Sequence, residues 1–168
     1  MRVTYTIDKE KVLKEVRRLT HYAGHKRQGE EGAFERMAAT ESDEGLLEQF
    51  WKSACAAATE QLKEYARMID AGEDESGDGI ATYRTDGIAT YQAYEAVMEM
   101  PSLYDKKLNE SIEGSLQGFF VNIIASKWFA WTDASGKAAE TAAAEALGCM
   151  QDVERKIYHR KRPGRFTI

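Results

Sequence analysis

The sequence predicts a mainly α protein, a helical bundle of about four helices with an inserted β-hairpin. Three observations predict it. Apolar residues recur at spacings of three and four over four long segments, the pattern of helices that bury one face. Only two prolines interrupt 168 residues, so long helices can run unbroken. One stretch departs from that pattern. Gly79-Ile-Ala-Thr-Tyr-Arg-Thr and Gly87-Ile-Ala-Thr-Tyr-Gln-Ala repeat a strand-favouring motif around Asp86-Gly87, a type I′ turn signal.

The elements follow in order. Residues 3–7 alternate apolar and polar side chains, which suits a short strand or extended arm. Asp8 then supplies an N-cap, and Val12, Val16, Leu19 and Ala23 mark a first helix ending near Gly24. Residues 24–40 are polar, with a single helical turn around Phe34 and Met37. Asp43 caps a second helix, and Glu44 and Glu48 are acids that suit the positive end of the helix dipole. Its buried face is Leu47, Trp51, Ala54, Ala58, Leu62, Tyr65 and Ile69, so it runs to about Asp70 and stops at Gly72. Residues 71–79 form an acidic, glycine-rich loop. Hairpin strands are expected at about 80–85 and 88–99, within an insertion spanning about 79–100.

Pro101 ends the second strand. Ser102 with Asp105 three residues later is a helix-start signature. Leu108, Ile112, Leu116, Phe119, Ile123, Trp128 and Trp131 outline a long third helix, widened by Phe120 and Ile124 into the most buried of the set. The turn at 132–136 is short, which favours an antiparallel neighbour. Ala139, Ala143, Ala146, Met150, Val153 and Ile157 mark that fourth helix, whose small residues allow close packing. Pro163 and Gly164 end it, leaving a basic tail at about 160–168. The length and the single set of amphipathic faces fit one domain over 1–168.

Composition narrows the function. Hydrophobic residues make up 43% and charged residues 30%, which fits a globular chain and not a disordered one. The apolar stretch 118–125 is too short to span a bilayer and the first residues lack a signal-type apolar run, so no membrane partner is expected. Cys55 and Cys149 make no disulfide framework and read as buried free thiols of a reducing compartment. The net charge of −5 is unevenly spread. Between Arg155 and Arg165 stand Arg155, Lys156, Arg160, Lys161, Arg162 and Arg165 with no acid, while acids concentrate at 30–48 and 73–78. Such asymmetry suits complementary contacts, within the fold or between copies, or a segment that touches a phosphate backbone. A solvated helix end is the alternative.

Catalytic signals are weak. His21 and His25 stand four apart, a spacing that can share a metal, but no third ligand lies near, and Gly24 breaks the shared face. Residues 74–79 match the first half of a calcium loop, but Thr85 stands where the bidentate glutamate belongs. Ser111 and Ser115 have no histidine partner and read as packing residues. No phosphate loop or dinucleotide fingerprint occurs. The expectation is no enzyme, no cofactor and no metal. Trp128, Phe129 and Trp131 exceed what one helical face can bury. They lie under the next turn, or Trp128 and Trp131 face a partner.

Three segments carry a resemblance. One is the opening helix and polar link leading to Asp43-Glu-Gly-Leu-Leu-Glu-Gln-Phe-Trp-Lys-Ser-Ala. Another is Met100-Pro-Ser-Leu-Tyr-Asp entering a helix that ends Lys127-Trp-Phe. The last is the alanine-rich helix running into Tyr158-His-Arg-Lys-Arg-Pro-Gly-Arg. Together the chain resembles bacteriophage head–tail connector (adaptor) proteins, with the hairpin as an addition. The resemblance implies a small helical bundle that forms a homo-oligomeric ring beneath the portal, with no catalytic residues. It implies a virion protein, made in the bacterial cytoplasm, whose partners are other virion proteins such as the portal, with non-specific DNA contact. Another tail component of the same virion, or a soluble helical adaptor or regulator of a protein partner, are the alternatives.

Overall fold

A computed structural model describes residues 1–27, 31–63, 65–70, 92–133 and 135–158. The chain opens with strand β1, Arg2–Asp8. Tyr5 and Ile7 point into the core, and Arg2, Thr4, Thr6 and Asp8 are exposed, the two-residue period of a half-buried strand. Asp8 caps helix α1, Lys9–Lys26, its Oδ1 accepting from the Lys11 backbone N–H at 2.9 Å. Val12, Leu13, Val16 and Thr20 form the buried face of α1.

A single short turn, α2 (Ala33–Met37), follows Gly32, whose φ of 73° is the left-handed conformation glycine tolerates. It lies close on α1 because Gly24 lacks a side chain. A Cβ there would stand 3.1 Å from Phe34 Cα. Thr20 ties the return segment down, its hydroxyl donating to Arg17 O and accepting from Ala39 N.

Helix α3 spans Glu44–Leu62. Asp43 does not cap it directly. Its carboxylate accepts from the Thr40 backbone N–H and hydroxyl, closing a 3₁₀ turn at Glu41–Asp43 that leads into α3. The helix stops at Leu62, eight residues short of the expected end, and residues Ala66–Asp70 form strand β2 instead. The spacing of Leu62, Tyr65 and Ile69 fits a helix, but the backbone there pairs with a strand.

That strand is β3, Ala93–Glu99, the centre of a three-stranded antiparallel sheet ordered β1-β3-β2. The inserted antiparallel pair between the second and third long helices is therefore β2 with β3. The expected strand at 88–99 corresponds to β3, which starts later. The expected strand at 80–85 and the Asp86-Gly87 turn lie outside the described residues. The β1–β3 ladder is regular, from Arg2 opposite Glu99 to Asp8 opposite Ala93. The β2–β3 ladder carries a register shift between Ala66 and Met68.

A 3₁₀ turn at Lys106–Leu108, capped by Asp105, opens helix α4, Asn109–Thr132. This helix buries Ile112, Leu116, Phe119, Phe120, Val121, Ile124, Ala125, Trp128 and Phe129. It packs against α1, α3, β1 and above all α5, Lys137–Ile157. The short turn makes α4 and α5 antiparallel neighbours, and alanines let them approach. Gly118 faces Cys149, whose Sγ would lie 3.0 Å from a Cβ at that position. The four long helices α1, α3, α4 and α5 with the small sheet make a mainly α bundle. Among the described residues no helix is long and apolar enough to cross a membrane.

Candidate assembly surfaces

The antiparallel α4–α5 pair has two ends, about 30 Å apart at 1.5 Å per residue, and they differ in chemistry. At the turn end, the three aromatics of α4 separate. Trp128 is 4% exposed, and its indole N–H donates to Met37 O at 2.7 Å. It is a core residue that holds α2 against α4, so it leaves the partner-facing pair. Phe129 is buried as well. Trp131 is 73% exposed, and its ring meets that of Phe50 from α3 in a T-shaped contact with centroids 6.2 Å apart. Nothing in the sequence singled out Phe50, since its contact depends on how the first turns of α3 lie against the end of α4.

Asp133 fixes this end. Its side chain is fully buried and forms an ion pair with Arg27 at 2.8 Å. It also accepts from the Ser135 hydroxyl and the backbone N–H groups of Ser135 and Ala138. Burial pushes its pKa up. The hydrogen bonds from Ala138, Ser135 and Arg27 outweigh that and hold the carboxyl down at about 2.

The other end is polar. Lys156 donates to Ser111 O at 3.1 Å and to Ser115 Oγ at 2.9 Å, and pairs with Asp152. Ser115 also donates to Asp152 Oδ2 at 2.9 Å. The hydrogen bond from Lys156 is the main reason the Asp152 carboxyl titrates below its ordinary range. Ser115 thus clamps α4 to α5 and is not free as a nucleophile. Of the six basic residues expected to meet DNA or a portal, Lys156 is spent inside the fold. Arg155 is exposed. Arg160, Lys161, Arg162 and Arg165 lie outside the described residues. Tyr158 is 61% exposed, with the Tyr65 ring 5.6 Å away edge-on.

The remaining candidates resolve as follows. The His21 ring contacts Ala39 O at 3.1 Å, and both His21 and His25 pack on Phe34, which assigns them to holding α2. Among the described residues no three His, Cys, Asp or Glu side chains converge as a metal site. The calcium-like segment 74–79 lies outside the described residues. Cys55 is buried, and burial pushes its thiol up to about 12, which suppresses thiolate chemistry. Cys149 is only half-buried, where full burial was expected. A cleft of about 490 Å³ lies between Arg17, Arg18, His21 and the 39–41 segment, and Arg17 Nε is buried beside it with no hydrogen-bond partner among the described residues. Comparisons with protein-family models, curated proteins and solved structures find no match to this chain.

Proposed function

We propose that the chain is a non-enzymatic structural protein of a bacteriophage virion, a head–tail connector or adaptor subunit that assembles in a ring at the portal. The observation that carries this reading is the polarity of the α4–α5 pair. One end presents the exposed ring of Trp131 beside Phe50. The other presents Arg155 and leads into the run that ends at Arg165. Unlike surfaces at opposite ends favour head-to-tail contacts, and such contacts close into rings when the rotation permits. The resemblance over most of the chain supports the same reading. In it, Trp131 meets the neighbouring subunit, and Arg155, Arg160, Lys161, Arg162 and Arg165 face DNA or the portal.

Light scattering across protein concentration and salt, with negative-stain images of any large species, tests this. A closed ring of many copies supports it. Replacing Arg155, Arg160, Lys161, Arg162 and Arg165 together by glutamine is expected to weaken ring formation or DNA packaging. Normal particles from that variant would overturn the role of the basic run. A discrete, salt-insensitive small oligomer that binds no portal would favour a soluble adaptor instead.

A further inference from the structure

We infer that β1 is a pairing edge, and that its occupant is β1 of a second copy of this chain, joined antiparallel about a two-fold axis at Tyr5. The inference does not rest on the ring reading.

The backbone parity of β1 comes first. Lys9 N–H donates to Gln92 O, and Met100 N–H donates to Met1 O. With the register of the β1–β3 ladder, these bonds place residues 1, 3, 5, 7 and 9 in the hydrogen-bonded pairs. Antiparallel pairs alternate, so the N–H and C=O groups of Arg2, Thr4 and Thr6, and the N–H of Asp8, point away from β3. Among the described residues no strand meets them, because β3 lies on the other side and β2 lies beyond β3.

The two edges of the sheet are built differently. β2 is five residues long, and its ladder is interrupted at Ala66/Met68, a device that discourages strand addition. β1 is seven residues long with an unbroken register. It contains no proline and no lysine, and two of its four outward residues are threonines. Its outward charges, Arg2 and Asp8, are confined to its two ends, and no bulge or proline interrupts it.

The register follows from the same parity. Only residues 2, 4, 6 and 8 can form hydrogen-bonded pairs across the new interface. Centring the axis on Tyr5 pairs Arg2 with Asp8 of the second copy and Thr4 with Thr6, and all four residues are exposed. Shifting the register by two in either direction leaves Arg2 or Asp8 without its opposite. Arg2 makes no ion pair among the described residues. Asp8 spends Oδ1 on the Lys11 N–H and keeps Oδ2 for the partner. On the core side, Val3 meets Ile7 and Tyr5 meets Tyr5, which continues the apolar face across both copies. A two-fold contact joins two copies and stops. It also lies far from Trp131: the Tyr5 hydroxyl contacts Asn109 at the start of α4, about 33 Å along the helix from Trp131.

The test is sedimentation of the full chain over a concentration series, with T6P, R2E and R2E/D8N as variants. Proline at position 6 removes one outward N–H and leaves the β1–β3 bonds in place. The expected result is a concentration-dependent dimer that T6P abolishes, while the circular dichroism and melting of T6P match those of the parent chain at concentrations where the parent is monomeric. R2E should weaken dimerisation by about tenfold, since each dimer holds two such pairs, and D8N, which keeps the cap, should restore part of it. Chains carrying Thr4→Cys mixed with chains carrying Thr6→Cys should crosslink, and Thr4→Cys alone should not. A monomer at every concentration, a dimer indifferent to T6P, or crosslinking by Thr4→Cys alone would each overturn the inference. Ring formation through Trp131 and the basic run would be untouched by these outcomes.

Discussion

Trp128 and Trp131 stand one helical turn apart, and their fates differ because only one has a neighbour above it. Trp128 lies beneath Met37 at the end of α2, whereas Trp131 meets the Phe50 ring of α3 edge-on and leaves most of its surface exposed. Helical spacing places both near one face, so their difference was not legible in the sequence. It depends on where a five-residue turn docks. Trp128→Phe is expected to cost about 1–3 kcal/mol, since it leaves the buried Met37 carbonyl without its donor. Trp131→Ala is expected to change stability by less than about 0.5 kcal/mol. Urea unfolding of both variants checks the contrast. Asp133 predicts a pH effect. Its carboxyl titrates at about 2 in the fold against an ordinary 3.8, so the folded state favours the ionised form. That contribution, about 2 kcal/mol, is fully present above the ordinary carboxylate pKa and disappears as pH falls through about 2. Acid titration of stability should show this slope between pH 4 and 2, and Asp133→Asn should remove it.

The helices were legible because each carries enough turns for its apolar period to stand out. β2 was not. The spacing of Leu62, Tyr65 and Ile69 continues the helical rhythm, and only pairing with β3 makes residues 66–70 extended. A five-residue segment is too short for periodicity to decide between the two, and the tertiary partner decides. The clamp at the polar end left a trace: Asp152 and Lys156 stand four apart, the helical ion-pair spacing, which marks Lys156 as the basic residue least free to meet a partner. Glycines separate close contact from open surface. Gly24→Ala is expected to destabilise by about 1–2 kcal/mol despite its better helix propensity, because a Cβ would press on the Phe34 backbone. Gly148→Ala, in the exposed interior of α5 with nothing within 4 Å, is expected to stabilise by about 0.5–1 kcal/mol. Thermal melts of the two single variants should move in opposite directions.

Contacts between distant parts of the chain hold the molecule together. β1 pairs with a strand some 90 residues later, and Arg27 reaches Asp133 across 106 residues. The sequence showed each amphipathic face and the unequal charge. It did not show that the first strand closes against the middle of the chain, because register between distant strands has no local signature. Such closures are slow. Deleting residues 2–7 is expected to abolish cooperative unfolding, since it removes Tyr5 and Ile7 from the core along with one whole ladder. A broad, non-sigmoidal urea curve and lost near-ultraviolet circular dichroism would show it.

The unequal burial of the three tryptophans gives the protein an internal light source at one end. Trp51 and Trp128 are shielded and Trp131 is bathed in water. Iodide should quench one part of the emission readily and leave the rest, and Trp131→Phe should erase the quenchable, red-shifted part. Anything that settles on the turn end of α4 and α5 would then shift the colour of the protein toward blue, while pairing at β1 would leave it unchanged.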